Sequence, residues 1–153
     1  MGSDTAASSQ ECNCLALRQA ARHVTQFYDR YLASAGLRTT QFSVLAKLQR
    51  LGPLTINALA RELVMDRTTL GWTMLPLERD DLISIRDVSL DRRSKKIYLT
   101  KAGVKRVRAA YKMWRQGQTR LEAAFGSKRA SNLRSELRAV ASSEFAIALE
   151  RPH

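Results

Sequence analysis

The chain is short of cysteine, histidine, proline and acidic residues, and each shortage closes a class of function. Two cysteines, Cys12 and Cys14, stand one residue apart and are poor partners for each other in an ordinary disulfide. The histidines are His23 and His153, so a zinc site lacks ligands. There is no nucleophile with a matching base and no glycine-rich phosphate loop, which argues against an enzyme and against a bound cofactor. No run of 18 apolar residues exists to span a membrane. No apolar signal core follows Met1, and Ala6 stands where a myristoylation signal wants Ser or Thr. A cytoplasmic protein with no membrane partner is the expectation.

What is present is basic charge. Twenty-six Lys and Arg against 14 Asp and Glu give a formal charge of +12. Such a surface attracts polyanions. Between Arg86 and Arg108 there are nine basic residues and two acidic ones. A hydrophobic content of 44% over 153 residues suits one folded domain that buries roughly 70% of its unfolded surface.

Residues 1–11 are small and polar and read as a flexible tail. Residues 12–153 read as a single domain. Leu17, Ala21, Val24, Tyr28 and Tyr31 recur at helical spacing, predicting a helix over 13–33 stopped near Gly36. Thr39 or Thr40 is placed to cap a second helix that ends at Gly52-Pro53. Thr55 and Asp66 are placed to cap two short helices separated only by Val64-Met65, the spacing of a helix-turn-helix. Pro76 predicts a bend or early end of the second of these at Leu75. Gly71 costs it about 1 kcal/mol relative to Ala.

The period then changes from helical to alternating. Ile83, Ile85, Ile97 and Leu99 alternate in two predicted strands, "LISIRDVSL" and "KKIYL", and the polar charged segment between them makes the hairpin turn. Thr100 is placed to cap a long helix carrying Val104, Val107, Tyr111, Trp114, Leu121 and Phe125. Gly126 breaks it, and a last helix is predicted over 127–149. The fold class is mainly α with a small β-hairpin: a winged helix-turn-helix with N- and C-terminal dimerisation helices. The dimerisation lobe is expected to be 12–36 and 108–150, and the DNA-binding lobe 37–107.

In this reading the hairpin is a wing whose basic tip reaches phosphates or the minor groove. Asp91, Arg92, Arg93, Lys95 and Lys96 are its candidate DNA-contacting residues. On the recognition helix, Arg67, Thr68, Thr69 and Trp72 occupy the first two turns, where base edges are most often met. Arg67 suits guanine O6 and N7, and the threonine methyls suit thymine. The competing reading gives the threonines phosphates alone and packs Trp72 against the wing or core.

The segments "GLRTTQFSVLAKL", "TINALARELVMDRTTLGWTMLPLERDDLI" and "DRRSKKIYLTKAG" together resemble the MarR family of winged-helix regulators, over about 13–149. The resemblance implies a homodimer on pseudo-palindromic double-stranded DNA, acting as a ligand-responsive repressor. It also implies release by a small aromatic or acyl effector; the protein's own charge favours an anionic one. It makes Arg93 the minor-groove residue, with Asp91 orienting it. It places an effector pocket beside His23, Phe27, Tyr28 and Tyr31, which plain core packing would equally explain. Relatives usually carry a polar or basic residue where Gly71 and Trp72 stand here, and often a helix-ending Gly where Asp81 stands.

"CLALRQAAR" further resembles the peroxide-sensing branch, in which a reactive cysteine opens the first helix. That gives an alternative, a thiol-based redox-sensing repressor using Cys14. Tyr28 matches one supporting tyrosine, while Arg18 and Thr39 stand in place of others. A non-specific architectural DNA-binding protein is the remaining alternative.

Overall fold

The computed structural model describes residues 10–88 and 95–152. The tail before Gln10 and the wing tip, with Asp91, Arg92 and Arg93, lie outside the described residues. Helix α1 spans Asn13–Leu32 and runs into a 3-10 turn, Ala33–Ala35. Gly36 closes it at φ 69°, a left-handed conformation that glycine adopts without steric cost.

Helix α2 spans Thr39–Leu51. Thr39 is the first helical residue rather than the cap, which is Arg38. The capping oxygen comes from another helix: Asp29 Oδ1 of α1 accepts from both the N–H and the hydroxyl of Thr39, at 2.7 Å each. Gln41 Oε1 accepts from Arg38 N–H at 2.9 Å. The N–H groups of Arg38 and Thr39 are thus satisfied without a side-chain cap from Thr39 or Thr40.

Strand β1 (Leu54–Thr55) leads into α3 (Ile56–Leu63) and α4 (Arg67–Arg79). Strands β2 (Ile83–Asp87) and β3 (Lys95–Leu99) pair antiparallel, with Ile85 opposite Ile97 and Arg86 opposite Lys96. The sequence reading missed β1, which adds to β3 and gives the order β1-β3-β2. Between α4 and β2, Asp81 adopts φ 55°, a left-handed conformation.

Helix α5 (Lys101–Phe125) is the spine. Thr100 caps it, accepting from Gly103 N–H at 2.9 Å and donating its hydroxyl to Asp81 O at 2.6 Å. At Gly103 the helix crosses so close to the Leu82 carbonyl that no Cβ fits. Leu32 and Phe42 pack from α1 and α2, Leu70 and Leu77 from α4, Ile83 and Ile97 from the sheet, and Val107 from α5, all in one core.

The predicted last helix is two: α6 (Ser127–Val140) and α7 (Ser143–Glu150). Ser142 breaks the run by capping α7, accepting from Phe145 N–H at 3.2 Å. Leu133, Leu137, Val140, Phe145 and Ile147 of these helices stay exposed in the single chain. Among the described residues no helix is long and apolar enough to cross a membrane.

Candidate nucleic-acid interface

The helix-turn-helix is built from two caps and one strained residue. Thr55 Oγ1 accepts from Ala58 N–H at 3.2 Å and starts α3. Val64 then takes φ 49°, left-handed and unusual for a β-branched residue, while Met65 N–H returns to Ala60 O at 2.9 Å. Asp66 starts α4, accepting from Thr69 N–H at 2.8 Å and from its hydroxyl at 2.6 Å. The Thr69 hydroxyl, followed by the backbone N–H, holds the Asp66 carboxyl below the usual carboxylate range.

Helix α4 sorts its residues onto two faces. Leu70, Met74 and Leu77 are buried. Thr68, Trp72, Leu75 and Arg79 are exposed on the other side, and Arg67, also exposed, stands at the helix start three residues before Leu70. Trp72, at 71% exposure, is not buried against the core or against the described residues of the wing. Thr69 is exposed too, but its hydroxyl is committed to the cap.

The helix does not end at Leu75. It continues through Pro76 to Arg79, and Asp80 N–H bonds Pro76 O at 3.0 Å. A mid-helix proline costs about 3 kcal/mol, and burial of Met74 on one side and Leu77 on the other offsets it. Of the bend or early end expected at Pro76, the early end does not occur, and Leu75, 56% exposed, lies seven residues beyond Thr68 on the same face.

On the wing, Ile83, Ile85, Ile97 and Leu99 share one face of the hairpin, and Ser84, Arg86, Lys96 and Tyr98 the other. Lys95 and Lys96 open strand β3, as the segment "KKIYL" predicts. Lys96 stands directly across from Arg86, a like-charge pair that is unfavourable in the free protein and relieved by a polyanion. The Arg86 guanidinium lies 3.9 Å from the centre of the Tyr98 ring. The sequence reading counted Arg86 as charge and did not single it out.

Three of the four candidate effector residues come together. The Phe27 ring centre is 5.3 Å from that of Tyr28 and 5.1 Å from that of Tyr31. Both tyrosine rings lie against α5 at Gly117, where a Cβ would come within 3.3 Å of each. His23 is exposed and stands one helical turn before Phe27 on the same helix. The Tyr28 hydroxyl donates to Gln118 Oε1, Gln118 Nε2 donates to Glu122 Oε1 at 2.9 Å, and Arg134 Nη1 donates to the same oxygen at 2.8 Å. This chain ties α1 to α5 and α6. Burial pushes the Tyr28 phenol up, the Glu122 charge adds to it, and Arg134 opposes both. The hydrogen bonds from Gln118 and Arg134 hold Glu122 below the usual carboxylate range.

Both thiols are exposed at the start of α1. Cys12, rather than Cys14, is the N-cap: its Sγ accepts from Leu15 N–H at 3.4 Å. Tyr28 lies 14 residues beyond Cys14 on the same helix, a rise of about 21 Å, so it cannot reach that thiol within one chain.

Solved structures with this arrangement of elements are transcriptional regulators. The M. tuberculosis regulator MosR in complex with DNA is 32% identical, with a TM-score of 0.79, over 92% of this chain and 99% of that one. A second MosR structure is 33% identical with a TM-score of 0.70, over 84% and 97%. The chain belongs to the MarR family of winged helix-turn-helix transcriptional regulators. The transcriptional repressor CouR, bound to a 23-mer DNA duplex, is 26% identical with a TM-score of 0.78, over 87% and 94%. No protein-family model and no curated protein matches the sequence. As a MarR-family member the chain is a DNA-binding regulator and not an enzyme. Helix α4 is the recognition helix of that fold, and the β2–β3 hairpin its wing.

Proposed function

We propose that the protein is a homodimeric, sequence-specific repressor that binds a pseudo-palindromic operator. The observation that carries this reading is the likeness to MosR in complex with DNA over 92% of the chain. Residues 37–107 form the DNA-binding lobe, and 12–36 with 108–150 the dimerisation lobe. The exposed apolar residues of α6 and α7 supply a self-complementary surface; one chain alone leaves them in water. The two recognition helices then sit one DNA turn apart, about 34–36 Å. Arg67, Thr68 and Trp72 face base edges. Arg93 enters the minor groove with Asp91 orienting it, and Arg92, Lys95 and Lys96 meet phosphates. CouR, described as a repressor, supports the sign of regulation.

The signal in this reading is a small anionic aromatic or acyl effector bound beside Phe27, Tyr28 and Tyr31. The aromatic group lies where α1 meets α5, the helix that continues into the DNA-binding lobe. The effector binds the DNA-incompetent form more tightly, since equal affinity for both forms shifts nothing. A second reading rests on the exposed Cys12 at the N-cap and exposed Cys14 beside it: thiol oxidation at the start of α1 takes the place of the effector.

The test is a mobility-shift assay on the DNA upstream of the protein's own gene, repeated with aromatic acids, acyl-CoA thioesters and hydroperoxides. A dimer by light scattering, with a preference for its site of about 10³-fold or more over random DNA, supports the proposal. A monomer, or equal affinity for random DNA, removes it. Release by hydroperoxide alone, abolished in the Cys12→Ser, Cys14→Ser protein, selects the thiol reading.

A further inference from the structure

The centre of the recognition helix is apolar where it faces away from the core. Thr68, Trp72, Leu75 and Arg79 follow one another at helical spacing opposite the buried Leu70, Met74 and Leu77. Trp72 and Leu75 are 71% and 56% exposed, while Leu70 is fully buried. Gly71, on the N-terminal side of Trp72, leaves open space where a Cβ would stand. Two large apolar side chains thus project side by side from a helix whose flanks carry Arg67 and Arg79.

The floor of the major groove offers donors and acceptors at every base edge, with one apolar exception, the C5-methyl of thymine. Leu75 has no polar atom. Set against guanine O6 and N7, adenine N6 and N7 or cytosine N4, it would strip water from those groups and leave them unpaired, which is unfavourable. Trp72 brings a broad apolar face and a single N–H. Only thymine methyls give this pair a partner that repays its exposure in the free protein.

We infer that Trp72 and Leu75 form a methyl-reading surface, so that each operator half-site carries thymine methyls clustered in the major groove where the middle of α4 lies. The inference rests on the DNA-binding reading above and adds what kind of sequence is bound. Guanine recognition belongs to Arg67 at the helix start; thymine recognition belongs to the next two turns.

The experiment selects a preferred sequence from a random duplex pool on the full-length protein. Each thymine of that sequence is then replaced, one at a time, by uracil, which removes the methyl and nothing else. At one or two positions in each half-site the loss should weaken binding about fourfold, equivalent to about 0.8 kcal/mol per methyl removed from contact. Trp72→Ala and Leu75→Ala proteins, altered only on the exposed face and checked for native circular dichroism, should bind the thymine and uracil duplexes equally at the matching position. Uracil tolerated at every position, or sensitivity retained in both variants, overturns the inference while leaving sequence-specific binding intact. A pool that yields no preferred sequence overturns both.

Discussion

Replacing Asp29 with alanine should loosen the joint between α1 and α2 by a predictable amount. One carboxylate oxygen, Oδ1, accepts from the Thr39 N–H and from the Thr39 hydroxyl, each at 2.7 Å. The two bonds are not equal in consequence. The hydroxyl also lies 3.5 Å from Thr25 O and can turn to it, whereas the N–H is an orphan of the first turn of α2 with no other acceptor in place. A hydrogen bond to a charged acceptor contributes roughly 1.5–3 kcal/mol, and loss of a helix cap roughly 0.5–2. The site is only partly buried, so a loss of about 2 kcal/mol is expected. For a chain of this size each kcal/mol moves the midpoint about 2–4 °C, giving a fall in Tm of about 4–8 °C. Asp29→Asn keeps an uncharged acceptor and should lose about half as much. Thermal melts followed by circular dichroism, at one fixed protein concentration because association raises Tm, make the comparison. A Tm for Asp29→Ala within about 1 °C of the native protein would refute the view that α1 caps α2.

Gly103→Ala should be severe, because its new methyl meets the Leu82 carbonyl and the Leu99 side chain; a loss above the usual overpacking range of about 1–3 kcal/mol is expected in a denaturant melt. In an alkaline absorbance titration, the step abolished by Tyr28→Phe should lie above the ordinary tyrosine value of about 10. Because the folded value is raised, that phenol's contribution to stability is complete below the unfolded value and disappears as pH rises through the folded one. Arg134→Met, which removes the cation opposing the shift, should move the step further up. Asp66 runs the other way: its stabilising contribution is present above the unfolded carboxyl value and is lost as pH falls through the depressed folded value. In an NMR titration Thr69→Val should raise the Asp66 midpoint toward the ordinary range, and an unchanged midpoint would show that the Thr69 hydroxyl is not its cause.

Much of the architecture was legible because it is written locally. Thr55, Asp66 and Thr100 cap α3, α4 and α5 with their own side chains, and the Ile83/Ile85 and Ile97/Leu99 alternation announces the hairpin. What escaped depends on partners distant in sequence. The α2 cap is supplied by Asp29, ten residues earlier on another helix. Strand β1 is two residues long and exists only through its pairing with Ile97 and Lys96. Pro76 would end an isolated helix, but the buried Leu77 holds the following turn in the core. The break before α7 carries neither glycine nor proline and turns on a serine cap that also reads as ordinary helix surface. In the site, the charge of the wing was plain from composition, while the outward pairing of Trp72 with Leu75 required knowing that the helix runs on past Pro76.

The chain's two tryptophans stand in opposite circumstances. Trp72 projects into water from α4, while Trp114 on α5 lies stacked near Phe42, ring centres 6.4 Å apart and planes inclined by 28°, with Tyr111 edge-on to it. Their emission should therefore be separable, that of Trp72 red-shifted and open to quenchers in solution, that of Trp114 bluer and shielded. The protein thus carries one intrinsic optical probe on its outward recognition face and another at the packing of α2 against α5. Two single-tryptophan variants would follow contact with a duplex and rearrangement of the helices as separate signals from the same molecule, without an attached dye.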